Sequence, residues 1–498
     1  MLTDHVDEDV RNTFWPRVRE FAVPPSMIET ATARRLAGDW AGACAAARVD
    51  ADLSVRFLAR SHGRDLAARL RDDLRHLAPD LLRWHLPRIA PDGVLRPGLT
   101  VALARYAPTP LYLVARTVPA WADSGQRITL TVWDSSGTGG TPGPHRLHPH
   151  PRPHPRFRLD LHRHLWDARR AGELAARSAP GVLGDGYAEV LRGVPGAHRL
   201  AVGRWGDEAR LLLRALGRRD DEAVLVRAGG GHRFLVDTGG RVDPVGAVRG
   251  GVHVPMLPDA AVWVPPDVEL LRTGAIDAGR LHPLVAAALA PGPPPSTGAP
   301  PTDPTGLSGP TGPTGLPRMP GPTSMPGMSG PTGMPGRDAG PRRVECRGAA
   351  HRIGLVDGVL VPFDHDPDEI RREELLAALT GTPLPCLQVI DRAHRDPECL
   401  PDVRERLRHG DLDGALTVVE DLLGPAASMR DGALREALES AARQRITYGL
   451  FRAGLGGPRE PGPPGRDAGP REASRPPGPP RRPARDERRS RPRLAQLP

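Results

Sequence analysis

From Ser26 to about Ile89 the apolar residues recur at helical spacing. Ile28, Leu36 and Trp40 open the pattern, and Leu66, Leu70, Leu74, Leu77 and Leu81 continue it in steps of three and four, which predicts one apolar stripe on a run of helices. The period then changes to two. Leu99 to Ala104, Leu111 to Val118 and Arg127 to Trp133 alternate apolar and polar residues between turn-rich breaks, so an antiparallel meander is expected. A Gly/Pro/His-rich stretch at residues 135–156 reads as a solvated loop, and Phe157 onward returns as a strand with a helix following. A helix around Asp207 to Leu216 precedes two strands, Ala223-Val-Leu-Val-Arg and Arg233-Phe-Leu-Val-Asp, joined through Gly229 to Gly231 as a hairpin. Helical spacing from Leu281 to Leu289 ends this first part.

A second patterned region follows much later in the chain. Val344-Glu-Cys-Arg and His351 to Pro362 predict strands, with Asp357-Gly358 as the turn between two apolar runs. Asp366 is placed to cap a helix that begins with Pro367, and Leu375, Leu376 and Leu379 are expected to pack on the hairpin. Further helices are predicted at about Leu400–Arg408, Gly414–Leu423 and Gly432–Tyr448, with Leu416, Val419 and Leu422 facing the hairpin as well. The strand Gly229-Gly-Gly-His232-Arg233 to Asp237 is echoed by Gly348-Ala-Ala-His351-Arg352 to Asp357, which suggests one hairpin used twice. The turns Gly38-Asp39-Trp40-Ala-Gly42-Ala43 and Gly410-Asp411-Leu412-Asp413-Gly414-Ala415 resemble the inter-helix turn of tetratricopeptide-type hairpins. The likeness covers about a dozen residues each time, without a 34-residue period, and implies no binding function.

Between the two parts, residues 291–342 hold Pro, Gly and Thr without Phe, Trp or Tyr, so they cannot bury enough apolar surface to offset the entropy of ordering. Gly falls at every third place from Gly306, but Arg318 and Ser324 break that frame, and the run reads as a disordered linker rather than a triple helix. Residues 458–498 form an Arg/Pro-rich tail with eleven Arg against five acids. The expected fold class is therefore α+β: a body at residues 1–290, the linker, a small hairpin-and-helix module at 343–457, and a disordered tail. The two structured units need not share a fixed interface.

Composition narrows the chemistry. Every one of the 68 basic residues is Arg, so the usual Walker-A, kinase and pyridoxal Schiff-base chemistries, which need a Lys amine, are excluded. The bias points to a high-GC bacterial genome. A net charge of +9 owes much to the tail, which can bind polyanions weakly but has no aromatic residue to stack on bases. Four Cys without a C-x-x-C, an acidic start and no apolar run of membrane-spanning length predict a cytoplasmic chain with no membrane partner.

Candidate chemistry is sparse. His145, His148, His150, His154, His162 and His164 are dense enough in imidazole for a metal, but interleaved prolines favour a solvated loop. Cys346, His351 and His365, beside Asp364, Asp366 and Asp368, are residue types from which a Zn site can be built. Cys386, His394 and Cys399 supply a thiol and a base in a stretch punctuated by Pro383, Pro385, Pro397 and Pro401. No nucleophile-elbow or zinc-protease motif occurs. The reading that follows is a non-enzymatic interaction or scaffold protein with a protein partner. The alternatives are a metal-dependent hydrolase using Cys346, His351 and His365, and a nucleic-acid-associated protein acting through the tail.

Overall fold

The computed structural model describes residues 8–122, 126–136, 148–178, 187–246, 254–291, 342–346, 348–381 and 383–455. The linker and tail expectations lie outside these residues, apart from Pro291 and Arg342 at the linker's edges. The chain opens with α1 (Glu8–Ala22), α2 (Pro25–Leu36) and α3 (Trp40–Ala46). Gly38 takes a φ of +78° to turn α2 into α3, and the Asp39 side chain accepts from the Gly42 N–H at 2.8 Å, which caps α3. A short strand, β1 (Val49–Asp52), interrupts the expected helical run before α4 (Val55–His62), α5 (Arg64–His76) and α6 (Pro79–His85). Four residues are too few for a period-two signal to show. Leu66, Leu70, Leu74, Leu77 and Leu81 are all buried, as their spacing requires.

The meander forms as expected from β2 (Thr100–Arg105), β3 (Leu111–Thr117) and β4 (Ile128–Asp134), and β1 adds to it in parallel, giving the order β1-β4-β3-β2. Residues 149–152, 154 and 155 are exposed, as the loop expectation has it, but His148 and Arg156 are buried, and the strand expected from Phe157 does not form: the segment runs along β2 with short 3-10 turns at Pro155–Phe157 and Arg163–Leu165, burying His162 and His164. The His154 N–H donates to the Thr100 carbonyl at 3.0 Å and the Leu159 N–H to the Ala102 carbonyl at 2.7 Å. Pro149, Pro151, Pro153 and Pro155 carry no N–H, so a regular ladder cannot form there and the strap covers the β2 edge instead. His145 lies outside the described residues.

Beyond the strap come α7 (Leu174–Ser178), α8 (Tyr187–Val190) and α9 (Trp205–Leu216), then β5 (Val224–Arg227), β6 (Arg233–Val236) and β7 (Val242–Pro244). The last three form an antiparallel sheet with β6 in the middle, around which a second apolar core gathers Trp205, Leu212, Leu213, Phe234 and Val262. Helices α10 (Asp259–Val262), α11 (Pro266–Arg272) and α12 (Pro283–Leu289) complete this half. Helix α11 is bolted to α1 by Arg19, whose buried guanidinium meets both Asp267 oxygens at 3.0 Å and lies over the Trp84 ring at 4.1 Å.

In the C-terminal half, β8 (Arg342–Cys346), β9 (Ala349–Val356) and β10 (Val359–Pro362) form a sheet ordered β10-β9-β8. Asp357 and Gly358 have φ of 51° and 75°, the two positive values a type I′ turn needs. The echoed sequence thus marks the middle strand in both three-stranded sheets, β6 and β9. Helix α13 (Pro367–Thr380) is capped by Asp366, which accepts from the Asp368 N–H at 2.9 Å. Its leucines do not pack on the hairpin: no residue of α13 is buried, and Leu375, Leu376 and Leu379 are 65%, 51% and 85% exposed. A helix absent from the sequence reading, α14 (Pro385–Arg395), packs on the sheet in its place, burying Cys386 and Ile390 beside Ile353. The prolines bracket this helix without breaking it, since Pro385 occupies its first turn, where no N–H is needed, and Pro397 follows its end. Helices α15 (Leu400–Arg408), α16 (Leu412–Leu423) and α17 (Ala433–Arg452) build a separate small core; Val419 is buried in it while Leu416 stays outside.

The described parts before and after the linker are docked, and all described residues fall within one compact unit, Met1–Gly457. Phe451 of α17 meets Trp121 edge-on at 5.4 Å between ring centroids, beside Val118 and Ala122. The Tyr448 hydroxyl donates to Asp50, Arg452 grips both oxygens of Asp52, and Arg48 reaches Asp411 and the His409 carbonyl, each at 3.0 Å. Arg83, fully buried, fans out to the Ala22 carbonyl at 2.9 Å and the Gln126 carbonyl at 2.5 Å, with the His409 carbonyl at 3.4 Å across the seam. The expectation that no fixed interface is needed gives way to this seam, which single residues from many elements build and no periodicity announces.

Candidate metal centre

Cys346 is the last residue of β8, His365 stands immediately before the cap of α13, and Cys386 is the second residue of α14. The sheet and α14 close over a small core of Cys346, Ile353, Leu384, Cys386 and Ile390, which draws these three chain positions together. One donor atom from each of Cys346, His365 and Cys386 lies within 4.8 Å of the other two. Burial pushes the Cys386 thiol up to about 11, reinforced by its hydrogen bond with Cys346 and by that neighbour's charge.

The His365 side chain is only 4% exposed. Its Nε2 is buried without a hydrogen-bond partner among the described residues, while Nδ1 faces Glu369 Oε2 at 3.6 Å, one helical turn on. His351 lies on His365, the rings nearly parallel at 9° with centroids 4.1 Å apart, and its Nδ1 is likewise buried and unpartnered. An imidazole lone pair lies in the ring plane. A cation held in the plane of His365 therefore stands off the plane of His351, and the two rings as placed cannot share it.

Of the sequence-derived set, Cys346 and His365 come together, Cys386 joins them, and His351 supports the ring from its flat side. Cys386, first weighed with His394 and Cys399 as a thiol–base pair, turns its thiol to Cys346 instead. Asp364 accepts from the Arg352 backbone N–H at 2.8 Å and from its guanidinium at 2.9 Å, bonds that hold its carboxyl down at about 2, and Asp366 is spent on the helix cap. The signal for Cys386 is the i, i+4, i+7 spacing of Cys386, Ile390 and Ala393, masked by the surrounding prolines.

Of the other candidate histidines, His164 has a buried Nδ1 without a hydrogen-bond partner among the described residues and meets the His162 ring edge-on at 5.8 Å between centroids. His148 Nε2 meets the Thr117 carbonyl at 3.1 Å, His154 Nδ1 accepts from the Arg156 N–H at 3.1 Å, and His162 Nε2 stands 3.2 Å from Glu208. A cleft of about 1000 Å³ runs along the seam between α2, α16 and α17. Three of its arginines are neutralised from within: Arg48 by Asp411, Arg127 by Asp50, and Arg406 by Asp402 and Asp411. No described helix is long and apolar enough to cross a membrane. No known protein family, curated protein or solved structure matches the chain.

Proposed function

We propose that the protein is a non-enzymatic interaction component of a larger assembly, working in the cytoplasm, where its four free thiols would stay reduced. The observation that carries this reading is α13. Leu375, Leu376 and Leu379 share one side of a capped helix and face solvent, although the rest of the C-terminal half is anchored to the body by the α17 seam. Burying a leucine contributes about 2 kcal/mol, so leaving three exposed is costly unless something covers them. Helix α13 carries Asp368, Glu369, Glu373 and Glu374 against Arg371 and Arg372, a net of −2 in a chain of net +9. The partner this fits is a protein with an apolar groove rimmed by basic residues.

The test compares the full chain with a Leu375→Ser, Leu379→Ser variant in affinity purification from the source cells, followed by binding measurements with the recovered partner produced separately. Because both leucines are exposed, the variant should fold normally. A partner with the predicted basic rim, bound at least about tenfold more weakly by the variant, supports the reading. Equal binding by both proteins sinks it, and so does self-association of the pure protein that the substitutions abolish.

A further inference from the structure

We infer that Cys346, Cys386 and His365 form a zinc-binding site that pins the start of α13 to the β8–β10 sheet. Two thiols and one imidazole are the donors a borderline-soft divalent cation prefers, and this mixture suits zinc above magnesium or calcium, which take oxygen ligands. Tetrahedral zinc with sulfur at about 2.3 Å and nitrogen at about 2.0 Å places neighbouring donors roughly 3.5–3.8 Å apart. The present spread of up to 4.8 Å needs a contraction of only about 1 Å.

The independent sign is the orphaned Nε2 of His365. A neutral imidazole uses one ring nitrogen as donor and the other as acceptor, and a buried acceptor with nothing to accept from is costly. A proton on Nδ1, the nitrogen 3.6 Å from Glu369 Oε2, would leave Nε2 with its lone pair on the buried side of the ring. A carboxylate behind a metal-bound histidine is the usual way a protein fixes that tautomer and ring orientation. His351 acts as a positioning residue by covering the ring face. Binding replaces both S–H protons with S–Zn bonds and releases them to solvent, so the charge of the ion is balanced by two thiolates within the core. The fourth coordination position is left to solvent.

The three ligands come from three different elements, and α13 has few other holds on the fold. Near this end the Asp366 cap is local, and Asp364, which accepts from the Arg352 backbone and guanidinium, ties the approach to β9. The cation would add a second anchor, through His365, where α13 leaves the sheet. The inference stands whether or not α13 has a partner, since its readouts concern metal alone.

The test loads the intact chain with Zn²⁺ or Co²⁺ after reduction and measures bound metal and absorption. The wild type should hold one ion per chain and show thiolate-to-cobalt charge-transfer bands. A Cys346→Ser, Cys386→Ser double variant should lose that ion, His365→Ala should bind it at least about tenfold more weakly, and His351→Ala should keep the charge-transfer spectrum. The wild-type spectrum alone remains decisive if a variant fails to fold. Uptake that persists in the double variant would place the metal on other histidines and overturn the assignment. So would a reduced wild type that binds cobalt without charge-transfer bands, or a pair that only oxidises to a disulfide and takes up no metal after reduction.

Discussion

Acidification from about pH 7.5 to about pH 5.5 should weaken the N-terminal half by roughly 4 kcal/mol, because three of its histidines are buried in a form that cannot accept a proton. His85 is the last residue of α6 and faces the strap; its Nδ1 stands 3.1 Å from the Leu81 and Leu165 carbonyls, and its Nε2 has no partner among the described residues. Burial drives it down to about 3; Asp267 and the Leu165 carbonyl oppose the shift, while Arg19 and His282 add to it. Burial also brings His148 to about 4, with Arg116 and His150 contributing, and holds His164 far below its ordinary value, aided by His162, Arg177, His85 and Arg204. A histidine depressed in the folded state contributes stability that is complete above its unfolded pKa of about 6.5 and is lost as pH falls towards the folded value. At pH 5.5 the unfolded chain has gained each proton and the folded chain has not, which costs about 1.4 kcal/mol per site. All eight Trp lie between Trp15 and Trp263, so tryptophan fluorescence during urea unfolding follows this half directly. The midpoint should fall by about 1–2 M, and His148→Gln, whose amide can still donate to the Thr117 carbonyl, should remove roughly a third of the fall. A midpoint unchanged down to about pH 4.5, followed by loss in the carboxylate range alone, would refute the reasoning.

Phe451→Ala should empty the contact with Trp121 and cost about 3 kcal/mol at the seam, seen in calorimetry as one transition separating into two; a single transition at the wild-type temperature would show that α17 is held by its ion pairs alone. Asp267→Asn leaves the buried Arg19 charge without its carboxylate and should destabilise the chain by about 3–5 kcal/mol in chemical denaturation. Gly424 has a φ of +86°, and an added Cβ would stand 2.1 Å from the Gly358 carbonyl oxygen at the hairpin tip, whereas Gly381, at +72°, has open space around it. Gly424→Ala should therefore lower the melting temperature of the C-terminal half well below that of Gly381→Ala, and equal shifts would mean the tip is free to move away.

Where one residue type repeats at one period, the sequence was readable. The leucines of α5 and α6, the alternation of β2 to β4 and the Asp357-Gly358 turn each state a local rule that nothing distant overrides. Helix α14 was hidden because proline is a breaker in the interior and a starter at the first turn, and only the structure shows which place Pro385 takes. The leucines of α13 misled for a related reason: apolar periodicity says that a helix has an apolar side, not which surface covers it. Of the candidate site, Cys346 and His365 were legible as residue types near a hairpin. Cys386 was not, because its nearness depends on a helix crossing a sheet some forty residues after β8 began.

The seam shows what a lysine-free chain can do with arginine. Arg34 and Arg406 each reach forward five residues to an aspartate, Asp39 and Asp411, that caps the next helix through its other oxygen. At the first turn the aspartate is half-exposed and the arrangement is local. At the second it is buried and also takes Arg48 from the body at 3.0 Å, so the same short sequence serves as a cap in one place and as a docking point in the other. A planar guanidinium can give two parallel bonds to one carboxylate, as Arg127 does to Asp50 and Arg452 does to Asp52, or spread over carbonyls of separate segments, as Arg83 does. Lysine's point charge lacks that fork. The orientation of the C-terminal half is thus set by directional bonds rather than by a large apolar contact, and with it the place from which α13 presents its leucines.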